Sequence, residues 1–194
     1  LVGITGNIGS GKSTLCKFLS LRGYPVFSAD DFGKEVLKRG APGYVRVVEA
    51  FGSGILRKDG EIDTKRLGRI VFSETEKLEL LTSITHPLIK EKILEVKERY
   101  SGSTAFVEAA VMVEYGWTSL FDRVVLVFAY KGQRLLRAAK RFGLREAIRR
   151  DSLQLSYSEK LKYCHFLICN TADLLHLKEQ ADYLLKDLEE SCSG

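Results

Sequence analysis

Leu1-Val2-Gly3-Ile4-Thr5-Gly6-Asn7-Ile8-Gly9-Ser10-Gly11-Lys12-Ser13 opens the chain, and its reading decides the fold. The apolar run 2–5 reads as a short buried strand. Residues 12–21 read as a helix that turns Leu15 and Leu19 inward, with Cys16 and Phe18 beside them. Between the two lies a complete G-x-x-x-x-G-K-S phosphate loop, Gly6, Asn7, Ile8, Gly9, Ser10, Gly11, Lys12 and Ser13. Its glycines allow the backbone to bend until several N–H groups converge on phosphate oxygens at a helix N-terminus. Lys12 can reach the β- and γ-phosphates, and the Ser13 hydroxyl can ligate Mg²⁺. The stretch predicts a site for a nucleoside triphosphate.

Composition narrows the class. A chain of 194 residues is one domain with room for an inserted sub-domain. No apolar run approaches the roughly 20 residues of a membrane span, and no signal-peptide pattern opens the sequence. The expectation is a cytoplasmic protein with no membrane partner, monomeric or weakly self-associating. Cys16, Cys164, Cys169 and Cys192 lack zinc spacing and read as free thiols, Cys16 and Cys169 among them as buried. The net charge of +5 invites a nucleic-acid reading, but most basic residues alternate with Glu, as on a solvated helical face. The exception is the acid-poor stretch 131–150 with Arg134, Arg137, Lys140, Arg141, Arg145, Arg149 and Arg150. Those cations suit phosphate-rich ligands. Because they have a use beside a nucleotide, no nucleic-acid partner is expected.

Short apolar strands alternate with helices along the chain, the pattern of a parallel α/β sheet. Strands are expected at 2–5, 26–28, 104–110, 123–129 and 166–169, and a closing helix at 173–188. Residues 31–100 read as a helical insertion with helices at 31–39, 44–51, 63–72, 74–85 and 87–100. Ser73-x-x-Glu76 is a candidate capping box, and Pro87 a helix start. The fold class is therefore α/β, a five-stranded parallel sheet flanked by helices within a single domain, 1–194. Its nucleotide core takes 1–30, 101–130 and 164–194. The insertion 31–100 serves the second substrate, and 131–163 forms a helical lid.

A phosphate loop by itself does not separate kinase, GTPase, motor and switch. Asn170-Thr171-Ala172-Asp173 has the ends of a guanine-reading N-K-x-D but not its Lys, which argues against a GTPase. A small-molecule kinase fits the length and the arginine-rich insertion. Asp30 stands at the carboxyl end of the second strand, where open α/β sheets bind ligands, and a carboxylate there can orient an attacking hydroxyl. The bland alternative is a helix cap, the favoured reading for Asp31. Arg137 and Arg141, an i,i+4 pair, either neutralise the transferring phosphoryl group or sit in solvent. Glu108 closes an apolar strand and either holds Mg²⁺ through water or is merely solvated.

Taken together these landmarks resemble the dephospho-CoA kinase family over nearly the whole chain. The likeness rests on 4–14, Val26-Phe27-Ser28-Ala29-Asp30, Asp59-Gly60-Glu61-Ile62-Asp63, Leu67-Gly68-Arg69-Ile70-Val71-Phe72 and Ile84-Thr85-His86-Pro87-Leu88-Ile89. It continues through Phe121-Asp122-Arg123-Val124, 154–161 and Ile168-Cys169-Asn170-Thr171. The resemblance implies a P-loop kinase fold whose insertion binds coenzyme A. It implies ATP as co-substrate with Mg²⁺, and transfer of the γ-phosphate to the ribose 3′-hydroxyl of dephospho-CoA. It adds Thr14 to the phosphate-binding residues and makes Asp30 the catalytic carboxylate. Lys12, Arg137 and Arg141 support the transfer, Asn170 and Thr171 border the adenine, and Thr5 and His86 lie on the acceptor side. His86 equally suits a helix boundary ahead of Pro87. The chain departs from the family pattern at Ser28, where an Asp is usual, at Ala110, where a Pro is usual, at Phe142 after the second lid arginine, and at Cys169. None of these removes a group the reaction needs.

Overall fold

A computed structural model describes residues 1–192, the side chains of Ser191 and Cys192 excepted; the predicted free thiol of Cys192 lies outside the described residues. In chain order the elements are β1 (Val2–Thr5), α1 (Lys12–Leu21), β2 (Val26–Ser28), α2 (Ala29–Val36), α3 (Pro42–Phe51), α4 (Thr64–Val71) and α5 (Thr75–Arg99). There follow β3 (Phe106–Glu108), β4 (Arg123–Phe128), α6 (Lys131–Phe142), α7 (Leu144–Ser152), α8 (Tyr157–Leu161), β5 (Phe166–Cys169) and α9 (Leu174–Cys192). The chain divides into two compact units, Leu1–Phe27 with Lys97–Gly194, and Ser28–Val96.

The first unit is built on the five-stranded parallel sheet, in the order β2-β3-β1-β4-β5. Val2, Gly3, Ile4 and Thr5 are all buried in β1, which pairs with β3 on one side and β4 on the other. The chain leaves its carboxyl end between two strands that both come later in sequence, the switch point at which open sheets admit ligands. One core unites Val2 and Ile4 of β1 with Leu15, Cys16 and Leu19 of α1, Val125 and Val127 of β4, and Leu177, Ala181, Leu184, Leu185 and Leu188 of α9. The i, i+3, i+4 spacing of these α9 residues gives the helix one apolar face. Cys16 is buried as its place in α1 requires, but Cys169 is only half-buried, because β5 is the edge strand of the sheet formed by the described residues. Residues 104, 105, 109 and 110 lie outside β3, which is shorter than its apolar pattern suggests. Its hydrogen bonding still continues on both sides, through Val2 N–H to the Ala105 carbonyl and Ala109 N–H to the Ile4 carbonyl.

The second unit packs Val47, Ile55, Ile62, Leu67 and Val71 into a core of its own. Two expectations are corrected here. Pro87 does not begin a helix: it sits inside the 25-residue α5. A mid-helix proline forfeits one backbone bond, but the buried stripe Thr85, Ile89, Ile93 and Val96 continues past it at i+4, i+4 and i+3 and keeps the helix whole. The capping box at Ser73 does not form either. The Ser73 hydroxyl donates to the Ile70 carbonyl at 2.8 Å, and Glu74 pairs with Lys77.

Asp63 is the effective cap of this unit, accepting the N–H groups of Lys65 and Arg66 at 3.0 and 2.9 Å. Its pKa is lowered, chiefly by the Arg66 N–H, so the carboxylate contribution is present above the ordinary pKa and fades as pH falls through the depressed value. Asp63→Ala is expected to lower the melting temperature by about 2–4 °C at neutral pH. In a thermal melt that difference should close as pH drops below about 4.

Candidate active site

Positive φ at Gly9 and Gly11, 73° and 102°, closes the phosphate loop in a conformation L side chains rarely adopt. Space forbids side chains there as well. A Cβ on Gly9 would strike the Arg134 carbonyl, and one on Gly11 the Asn170 amide. Lys12 is buried and lies across the loop, its Nζ donating to the carbonyls of Gly6 at 2.8 Å and Asn7 at 3.3 Å. The N–H groups of Gly9, Gly11 and Ser13 donate to nothing among the described residues, so the anion-receptive face of the loop is open.

Ser13, on the first turn of α1, donates its hydroxyl to Glu108 Oε1 at 3.2 Å. Two hard oxygens, one of them anionic, thus meet at the end of β3, the kind of donors Mg²⁺ accepts alongside phosphates and water. Burial, and then the Glu108 carboxylate, push the Cys16 thiol well above the ordinary thiol range, so this buried group is no nucleophile.

Asn170 is buried, and its Nδ2 donates to the Ser10 carbonyl at 2.8 Å, bracing the loop from the end of β5. Its own carbonyl accepts from Arg137 at 3.1 Å, and the Thr171 carbonyl accepts from Gln133 Nε2 at 2.9 Å. The helix α6 is thereby attached to the loop expected to border the base. Arg141, one turn beyond Arg137, is exposed and stacks on Phe142 with its guanidinium carbon 4.9 Å from the ring centre. Arg150 takes the same ring at 4.3 Å. Glu146, between Arg149 and Arg150, has its pKa lowered to about 2, first by the Arg149 hydrogen bonds.

Asp30 lies on the first turn of α2, exposed and without a hydrogen-bond partner among the described residues. Asp31 is not a helix cap. It pairs with Lys34 at 2.6 Å, and the cap position belongs to Ser28, whose side chain makes no cap bond. His86 is half-buried within α5, and burial followed by the nearby Lys90 lowers its pKa, leaving a neutral imidazole at pH 7. Thr5, expected on the acceptor side, is buried; its hydroxyl donates to the Ala110 carbonyl at 3.2 Å and holds the chain that follows β3.

Four residues with clear roles were not singled out from the sequence. Arg134 is buried, bonds Asp151 at 2.5 Å and reaches the Ile8 carbonyl at 3.4 Å. Arg134, Arg137 and Arg141 fall at i, i+3 and i+7, so helical spacing alone could have added the first to the other two. Gln154, Glu114 and Lys160 are the others. Gln154 Oε1 accepts the Ile8 N–H at 2.7 Å, and the wholly buried Lys160 pairs with Glu114 at 2.8 Å. Their partners lie 41 or more residues away in sequence, and no local pattern signals them.

A family model described as dephospho-CoA kinase matches residues 1–176. The dephospho-CoA kinase of Dehalococcoides mccartyi is 38% identical over 192 residues, and that of Bacillus cereus 37% over 192, each alignment covering 96% of both chains. Among solved structures, the dephospho-CoA kinase from Campylobacter jejuni superposes with a TM-score of 0.74 at 28% identity, covering 98% of this chain and 97% of the other.

Proposed function

The chain belongs to the dephospho-CoA kinase family, a kinase of the last step of coenzyme A synthesis, and from that membership we propose how its residues move the γ-phosphoryl group of ATP to the ribose 3′-hydroxyl of dephospho-CoA. The observation that carries the reading is the phosphate loop itself, with open N–H groups at Gly9, Gly11 and Ser13 and a lysine already lying across it.

The loop 6–14 receives the phosphates. Lys12 exchanges its two carbonyl partners for β- and γ-oxygens, following the charge from ground state to transition state. Ser13 and Glu108 would hold Mg²⁺, the first directly and the second through water, and the ion when bound offsets the charge of the β- and γ-phosphates. Asp30 orients the 3′-hydroxyl and accepts its proton as the oxygen bonds to the γ-phosphorus and the bridge to the β-phosphate breaks, releasing ADP. Its exposure and lack of partners suit a group that meets a substrate. Arg137 and Arg141 neutralise charge on the transferring group, Asn170 and Thr171 border the adenine, and His86 serves the acceptor side. No covalent intermediate is needed; positioning and electrostatics supply the rate.

Mixed with Mg²⁺ and ATP, the protein should release ADP at least about a hundredfold faster when dephospho-CoA is added, and the product should gain one phosphate at the ribose 3′-position. ADP release that ignores dephospho-CoA, with ATP binding intact, would move the search to another hydroxyl acceptor. Chelation of divalent cations should stop the release, and full activity in excess chelator would remove Ser13 and Glu108 from the metal role.

A further inference from the structure

We propose that Gln154 is a further ligand of the nucleotide's phosphate chain, an inference that rests on the ATP reading above. The side chain lies just after the lid helix α7, and its Oε1 accepts the N–H of Ile8, the third residue of the phosphate loop, at 2.7 Å. The donor is a backbone N–H, so the atom facing it must be the carboxamide oxygen. That settles the orientation of the amide. Nε2 is then the end turned away from that N–H, on a half-buried residue, and it donates to no group among the described residues.

The segment carrying Gln154 is firmly held. Asn7 Nδ2 donates to the Leu155 carbonyl at 3.1 Å, and the Leu155 N–H donates to Glu114 Oε1 at 3.0 Å. The same Glu114 oxygen accepts from Lys160, whose Nζ also reaches the Ala110 carbonyl at 2.9 Å. A neutral donor fixed in this way complements an anion without adding a charge that must be stripped of water. Its hydrogen bond to a phosphate oxygen is charge-assisted, roughly twice as strong as a neutral pair. Gln154 thus turns one end of its amide to the loop and offers the other to the ligand the loop binds.

Gln154→Glu separates this role from simple bracing. A carboxylate still accepts the Ile8 N–H, so a residue that only braces the loop tolerates the change. It has no donor, however. Because the charge it adds would repel the phosphates whatever Nε2 does, the titrations are run at high salt, where that repulsion is screened and the lost donor remains. On the full chain, isothermal titration should show ATP affinity falling about tenfold or more in Gln154→Glu, while adenosine, which has no phosphate, binds within about twofold of the parent. ATP affinity within about twofold of the parent would overturn the proposal in favour of bracing. Equal losses for ATP and adenosine would also overturn it, because the defect would then be a distorted site. Absence of ATP binding by the parent protein would sink the nucleotide reading and this proposal with it, and is thereby told apart from failure at Gln154 alone.

Discussion

Asp30→Asn should lower turnover between about 10² and 10⁴-fold while ATP affinity stays within about twofold. Asparagine keeps the size and one oxygen of aspartate and can still accept a hydrogen bond, but it cannot take a proton at neutral pH. If the carboxylate removes the proton of the attacking hydroxyl, the whole loss falls on the chemical step. The fold is indifferent to the change, since Asp30 is exposed and has no partner among the described residues. Initial rates at saturating ATP and dephospho-CoA, with a parallel titration of ATP alone, give the two numbers. Turnover within about tenfold of the parent would take Asp30 out of the proton transfer.

Lys160→Met carries the largest expected effect on stability. Lys160 is fully buried, and its partner Glu114 keeps only 12% of its side chain exposed. Removing one member of such a pair leaves the other charged and poorly solvated, which costs about 3–5 kcal/mol. At roughly 2–4 °C per kcal/mol for a chain of this size, the melting temperature should fall by about 10 °C. Adding Glu114→Leu to Lys160→Met should recover part of that loss, because an apolar pair is often no worse than a buried ionic one. A single variant that melts within about 2 °C of the parent would show that water reaches the pair and that its burial is nominal. Glu114 also accepts the Leu155 N–H, so the same variant should bind ATP less tightly.

The parts of the molecule legible in sequence are those set by neighbours along the chain. β1, α1, β2 and β5 begin and end where their apolar runs and glycine punctuation place them. The phosphate loop is legible for the same reason: its glycines, Lys12 and Ser13 act within eight residues of one another. Pro87 misled because a local rule met a tertiary exception, a buried stripe continuous across the proline. The capping signature at Ser73 matched the pattern, but the hydroxyl found the Ile70 carbonyl first, whereas Ser156 with Glu159 forms the real capping box at α8. Within the site, Arg134 looked like one cation in a row of seven, and only folding buries it against Asp151. Gln154 and Lys160 stood in a stretch whose likeness to the family was visible, yet what they touch lies across the fold: Ile8 for one, Glu114 and Ala110 for the other.

The phosphate loop is held in place from several directions at once: Lys12 on the carbonyls of Gly6 and Asn7, Asn170 on that of Ser10, Gln154 on the N–H of Ile8, and Leu155 on the Asn7 amide. Its conformational freedom is therefore lost when the chain folds and not when a nucleotide arrives. Binding ATP restricts the nucleotide and a few side chains, and little of the association free energy goes into ordering the backbone. Affinity at this site is thus tied to the integrity of distant elements, since a change in the segment after α7 or at the end of β5 would return entropy to a loop it never replaces.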